Sequence, residues 1–282
     1  MKNFMLLMAM MILVTSCSEQ SMMDVFDGKK TEYLKSNDLS SPSLIDTYTK
    51  MARWGDAAAY MKLAEFYHDG KGVKTDFLVS FAMLDQASQY GQAEKVEAFI
   101  DSLPTDDVMK MMMVAIDNMD DEGSGIADSI ANVLVTNDNP DGFFLRGMMQ
   151  IIRGDTIGGY YAIQTGAERG SSFAELLLCA MPRPGEPEDQ LMVAERLSVL
   201  SDRIPIASMF LGDLYSGYED YADKAAMYYQ RADKYGLLNR KQADWLIKYY
   251  SQEGVWIADE ERERLETLVG SEQGRNAHYA DE

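Results

Sequence analysis

Residues 52–91, ARWGDAAAYMKLAEFYHDGKGVKTDFLVSFAMLDQASQYG, read as one complete helix–turn–helix unit. In the first half Ala59, Leu63 and Phe66/Tyr67 recur at helical spacing, and in the second half Phe77, Phe81, Leu84 and Ala87 do the same. Between them Asp69-Gly70-Lys71-Gly72 supplies glycines for the left-handed backbone angles of a helix end. Thr75-Asp76 can accept hydrogen bonds from the free N–H groups that open the next helix. Two amphipathic helices joined by a chemically specified turn are therefore expected.

The unit returns in worn form at residues 206–236, IASMFLGDLYSGYEDYADKAAMYYQRADKYG. Ala207, Leu211-Gly212, Tyr215, Gly217, Asp223, Lys224-Ala225, Tyr228-Tyr229, Ala232 and Gly236 follow the order of the matching positions between Ala59 and Gly91. The pattern resembles the Sel-one-like repeat, a relative of the tetratricopeptide repeat. Gly70-x-Gly72-Val73, the aspartate three residues further on and the closing alanine-then-glycine carry that resemblance, and only the first copy has all of them. Gly154-Asp155 with Ala167 and Gly170 looks like a third, degenerate copy, and Ser172 to Arg203 and Asn239 to Val269 could form two further pairs. The resemblance implies an all-α fold, a right-handed α-solenoid of stacked helix–turn–helix repeats, over residues 43–269.

The small residues point the same way. Alanine at 59, 87, 207 and 232 lets helices approach closely, while Tyr, Phe and Leu at the intervening positions fill the remaining space. One pair cannot bury its own apolar face, so about three stacked units are the minimum for stability.

Residues 1–16 have the form of an export signal: Lys2 provides the charge, and Phe4 to Val14 is an apolar run too short to be a permanent membrane span. Val14-Thr15-Ser16-Cys17 resembles the bacterial lipobox, which implies a diacylglycerol on the Cys17 sulfur. Two or three acyl chains there would satisfy the two-signal requirement for stable anchoring. Residues 17–42 are polar and mixed and are expected to be a lipidated flexible tether, and residues 270–282 a disordered tail. Between the copies, helices are expected over 44–54, 92–103, 105–119 with Thr105 as cap, 126–135, 143–152 and 157–168. Gly158-Gly159 early in the last of these suggests close backbone packing or a late start. No stretch alternates as a strand would.

The chain has 282 residues and a formal charge of −20, and loss of a signal peptide holding Lys2 and no acid would make it −21. Such a body repels nucleic acid and anionic headgroups, so neutral, basic or cation-bridged partners are expected and a nucleic-acid role is not. Cys17 and Cys179 are the two cysteines, so a lipidated Cys17 leaves one thiol and no intramolecular disulfide. Some secreted members of the repeat family carry a disulfide in every unit, and a few have been credited with β-lactam binding or hydrolysis. This chain departs from that pattern.

His68 and His278 have no local partner set for a nucleophilic centre. Asn137-x-Asn139-x-Asp141-Gly142 imitates half of a calcium loop, but the bidentate position holds Met148. Met109 and Met111 to Met113 suit an irregular core better than a soft-metal site, and Cys179 sits in an apolar run. No catalytic, cofactor or metal site is expected. The expected role is that of a lipid-anchored repeat scaffold at the bacterial cell envelope, in the outer membrane, holding a protein or peptide. A subunit of envelope or outer-membrane assembly machinery is the alternative, and a cell-wall or β-lactam-acting enzyme comes third. In a solenoid of this kind the first helix of each pair lines the concave face. The candidate partner-binding residues there are Tyr60, Lys62, Glu65, Asp213, Lys248 and Tyr249, aromatic edges flanked by charge.

Overall fold

A computed structural model describes residues 41–119, 124–185, 190–252 and 254–270, and all regular structure among them is helical. The helices are α1 (Ser41–Ala52), α2 (Ala57–Asp69), α3 (Phe77–Ala87), α4 (Ala93–Ser102), α5 (Val108–Asp117), α6 (Ser124–Thr136) and α7 (Pro140–Ile152). They continue with α8 (Thr156–Glu168), α9 (Ser172–Ala180), α10 (Gln190–Leu200), α11 (Ile206–Ser216), α12 (Ala222–Asp233), α13 (Arg240–Tyr250) and α14 (Asp259–Gly270). This succession of helix–turn–helix repeats accords with the expected α-solenoid. The proposed leader, Cys17, the tether and the tail beyond Gly270 lie outside the described residues.

The expected turn forms in the first unit. Gly70 closes α2 at φ 69°, Gly72 has φ 75°, and the Asp76 carboxylate accepts from the Val79 amide to open α3. Asp56 caps the other end of α2, accepting from Ala58 and Ala59 at 2.8 and 3.3 Å. Two expected starts move. Asp107, not Thr105, caps α5 by accepting from the Lys110 amide. Helix α7 begins at Pro140 instead of Phe143, because Asn139 caps it and proline suits the first helical position.

The described residues divide into two compact units, one of residues 41–97 with 208–270, the other of residues 98–207. In the second unit each helix packs on the next from α5 to α10, and α7 also touches α5 and α9. Backbones come very close at the α7/α8 crossing: a Cβ on Gly147 would meet the Gly159 carbonyl at 2.7 Å, and one on Gly159 would meet the Gly147 carbonyl at 2.7 Å. Gly159 is thus the contact expected from its sequence, while Gly158 sits against the Asp155 side chain that caps α8. Ser171 ties α9 to α7 by donating to Asp141 at 2.6 Å while accepting from the Ala174 amide.

In the first unit α2 lies between α1 and α3. Ala59, Ala64 and Ala87 are fully buried, and the Ser80 hydroxyl donates to the Ala64 carbonyl at 2.9 Å, a distance only small residues permit. Gly212 does the equivalent in the second copy, where the Tyr229 ring occupies the space a Cβ would need. The same unit holds α12, α13 and α14, so the first and last repeats meet. Gly236, at φ 71°, shows how closely: its Cβ would lie 3.2 Å from that of Ala52 at the end of α1.

Candidate functional site

The six candidate residues do not form one surface. Tyr60 is fully buried, its ring stacked on Tyr90 with centroids 5.6 Å apart. It cannot present an aromatic edge, because Tyr90 stacks on it and Asp233, Arg264 and Arg240 of the last repeats lie near its hydroxyl. Asp213 is also corrected: it accepts from the Tyr229 hydroxyl at 2.8 Å and from Gln242 Nε2 at 3.1 Å, tying α11 to α12 and α13. Burial raises the pKa of this carboxyl, and the bonds from Gln242 and Tyr229 partly oppose the rise. Gln242 is itself half of a capping box with Asn239 that opens α13.

The other four are accessible to different degrees. Lys62 and Glu65 form an i,i+3 ion pair at 2.6 Å on α2, and Lys248 pairs with Asp244 on α13 at 2.5 Å. Tyr249 stacks on Trp245 at 5.5 Å and donates to Asp223 at 2.7 Å. That bond to a carboxylate, with some burial, pushes the phenol up to about 12. Lys248 and Tyr249 are neighbours on α13, while the α2 pair is satisfied within its own helix.

A buried ionic network in the first unit has no counterpart among the sequence expectations. Asp233, at the end of α12, accepts from Arg53 Nε and Nη2 at 3.0 and 2.7 Å and from Arg264 Nη2 at 2.8 Å. Arg264 also donates to Glu261 at 2.6 Å and, through Nη1, to the Arg53 carbonyl at 2.6 Å. Asp233 and Arg264 are each 3% exposed. Burial raises the Asp233 pKa against the pull of Arg264 and Arg53, whereas for Glu261 the arginines outweigh burial and lower it. The available signal was charge of opposite sign on buried faces, Asp233 next to Ala232 and Arg264 next to Leu265.

The second unit exposes apolar side chains in rows. Ile126 and Val133 lie two turns apart on α6, Ile157 (62% exposed) and Tyr161 (57%) one turn apart on α8, and Leu191 and Val199 (69%) two turns apart on α10. Arg153 bridges to Asp128 at 2.5 Å, bringing the exposed Ile152 at the end of α7 to the start of α6.

The residues weighed for chemistry have structural work. His68 Nδ1 lies 2.7 Å from Asp69, and its ring packs on Phe77. Asn139 and Asp141 are committed to the α7 cap and to Ser171. Met109 and Met112 are fully buried, and burial raises the Cys179 thiol, which keeps it protonated. Among the described residues no three His, Cys, Asp or Glu side chains group as a metal site, and no helix is long and apolar enough to cross a membrane.

No protein-family model and no curated protein sequence matches the chain. Several solved chains are similar to it, among them two that cover most of its length. One is a Sel1 repeat protein from Oxalobacter formigenes, 17% identical over 89% of this chain and 99% of that one, with a TM-score of 0.42. The other is c5321, a protective antigen present in uropathogenic Escherichia coli strains displaying an SLR fold, 20% identical over 91% of this chain, with a TM-score of 0.38. The chain spans 55% of the length of c5321.

Proposed function

We propose that this chain is a helical-repeat scaffold that holds a basic, amphipathic segment of another protein at the cell envelope. The observation that carries the reading is the set of exposed apolar side chains on α6, α8 and α10, since large apolar side chains held in water favour a partner that covers them. The charge of −20 selects the partner's sign, through attraction that speeds encounter and weakens with salt. Lys62, Glu65, Lys248 and Tyr249 are proposed as secondary contacts.

Anchoring belongs to the same proposal. The charged start, the apolar run and Val14-Thr15-Ser16-Cys17 support export and acylation at Cys17, which would hold the scaffold at the outer membrane or beside envelope assembly machinery. Replacing Cys17 by Ser should abolish labelling by a palmitate analogue and release the protein from membranes, and continued labelling would sink the anchor. For binding, a photo-crosslinking amino acid at Ile157 or Tyr161 should give one discrete protein adduct in cells, and the same probe at Lys71 none. Ile157→Lys should remove the Tyr161 adduct while leaving the helical circular dichroism unchanged. Adducts of equal yield from all positions would refute the surface.

A further inference from the structure

Where the first and last repeats meet, four buried donors lack a well-formed hydrogen bond: the hydroxyls of Tyr60 and Tyr90, and Arg240 Nε and Nη2, with Arg240 within reach of the Tyr90 hydroxyl. They belong to one place. Tyr60 stacks on Tyr90, the Arg240 guanidinium lies 4.5 Å over the Tyr90 ring, and Tyr60 feels the charges of Asp233, Arg264 and Arg240. Tyr60 is 0% exposed and Tyr90 5%, so water does not satisfy them from outside. Arg53 and Arg264 share Asp233 and Glu261, whereas Arg240 has no carboxylate partner among the described residues.

A buried guanidinium edge without a counter-charge is costly, and so are buried hydroxyls without well-formed hydrogen bonds. Nε and Nη2 form the side of arginine that offers two parallel N–H groups, a match for two oxygens of one oxyanion. We propose that Arg240, Tyr60 and Tyr90 form a binding site for a small oxyanion, phosphate or carboxylate, at the junction of the first and last repeats. The guanidinium edge grips two oxygens, and the two hydroxyls donate to the oxygens that face them. Asp233 Oδ1, a buried acceptor also without a partner, takes a hydrogen from the ligand and so favours hydrogen phosphate over acetate. Arg240 itself is only half-buried, which puts the site just below the surface at the start of α13. The proposal is independent of the partner surface on the second unit.

The test is thermal unfolding of the full chain in inorganic phosphate, sodium acetate or sodium chloride at one ionic strength. An oxyanion that binds the folded state should raise the midpoint by roughly 5 °C at about 100 times its Kd. Phosphate or acetate exceeding chloride supports the site and identifies the source, and a rise no larger than that in chloride overturns it. R240Q should abolish the oxyanion-specific rise, and full retention of it would also overturn the proposal. Should R240Q fail to fold, Y90F decides, since it keeps the ring beneath the guanidinium and removes the hydroxyl alone. It should weaken phosphate at least fivefold by calorimetry, and unchanged affinity there overturns the assignment.

Discussion

Asp85, on α3, carries a carboxyl that burial raises from 3.8 to about 6, with a bond from Gln89 only partly opposing. Its folded state binds the proton more tightly than its unfolded state, so its contribution is fully present below pH ~4 and is lost as pH rises through ~6. The difference is worth roughly 3 kcal/mol as an upper bound. Asp85→Asn, which can still accept from Gln89, should stabilise the protein at pH 7.5 and flatten its stability between pH 4 and 6.5. Urea titrations across that range check this, and an unchanged slope would refute the assignment. Asp233 differs because its charge is matched: Asp233→Ala leaves Arg264 buried without its shared carboxylate, so a loss of about 3–5 kcal/mol is expected by denaturant unfolding. Adding Arg264→Leu should recover part of it. Neither residue was legible in the sequence, and neither were the burial of Tyr60 and the role of Asp213. Helical periodicity orders residues around one helix, whereas the groups that bury Tyr60 and pair Arg53 with Asp233 lie some 180 positions away.

The helices themselves were far more legible, because each is specified locally. Glycine and aspartate at the α2/α3 turn, alanine on the packing faces and Gly159 on α8 all act where the sequence placed them. The starts of α5 and α7 differ from expectation because Thr105 and Asp107 are both capping residue types, and because Asn139 followed by Pro140 opens α7 three residues before Phe143, alternatives that propensity alone does not separate. The crossings give the sharpest predictions. Gly159→Ala drives a methyl into the Gly147 carbonyl and should destabilise by at least ~1–3 kcal/mol, since backbone cannot swing aside as a side chain can. Ala59→Leu and Ala207→Leu should cost a similar amount, while Lys62→Ala, exposed on the same helix as Ala59, should stay within ~0.5 kcal/mol. Equal melting temperatures for all four variants would contradict the packing described.

At the scale of the molecule, the meeting of α1 and α2 with α12, α13 and α14 changes what a truncation should do. In a row of repeats each unit contacts only its neighbours, so removing the last pair leaves the first untouched. Here deletion of residues 240–270 removes Arg264 and Arg240 from the face that buries Tyr60 and Arg53. Hydrogen exchange over residues 41–69 should then accelerate by orders of magnitude, while residues 124–180 keep their protection. Unchanged exchange in α1 and α2 would show that the network contributes nothing to their order. The same closure sets a schedule during synthesis. At ~5–20 residues per second, the ribosome needs on the order of ten seconds after releasing Glu97 to reach Arg264. Through that interval α1 and α2 wait with Tyr60 uncovered, whereas the contiguous second unit can finish first, so a chaperone that shields the nascent N-terminal pair would have its greatest effect on yield before the last repeat emerges.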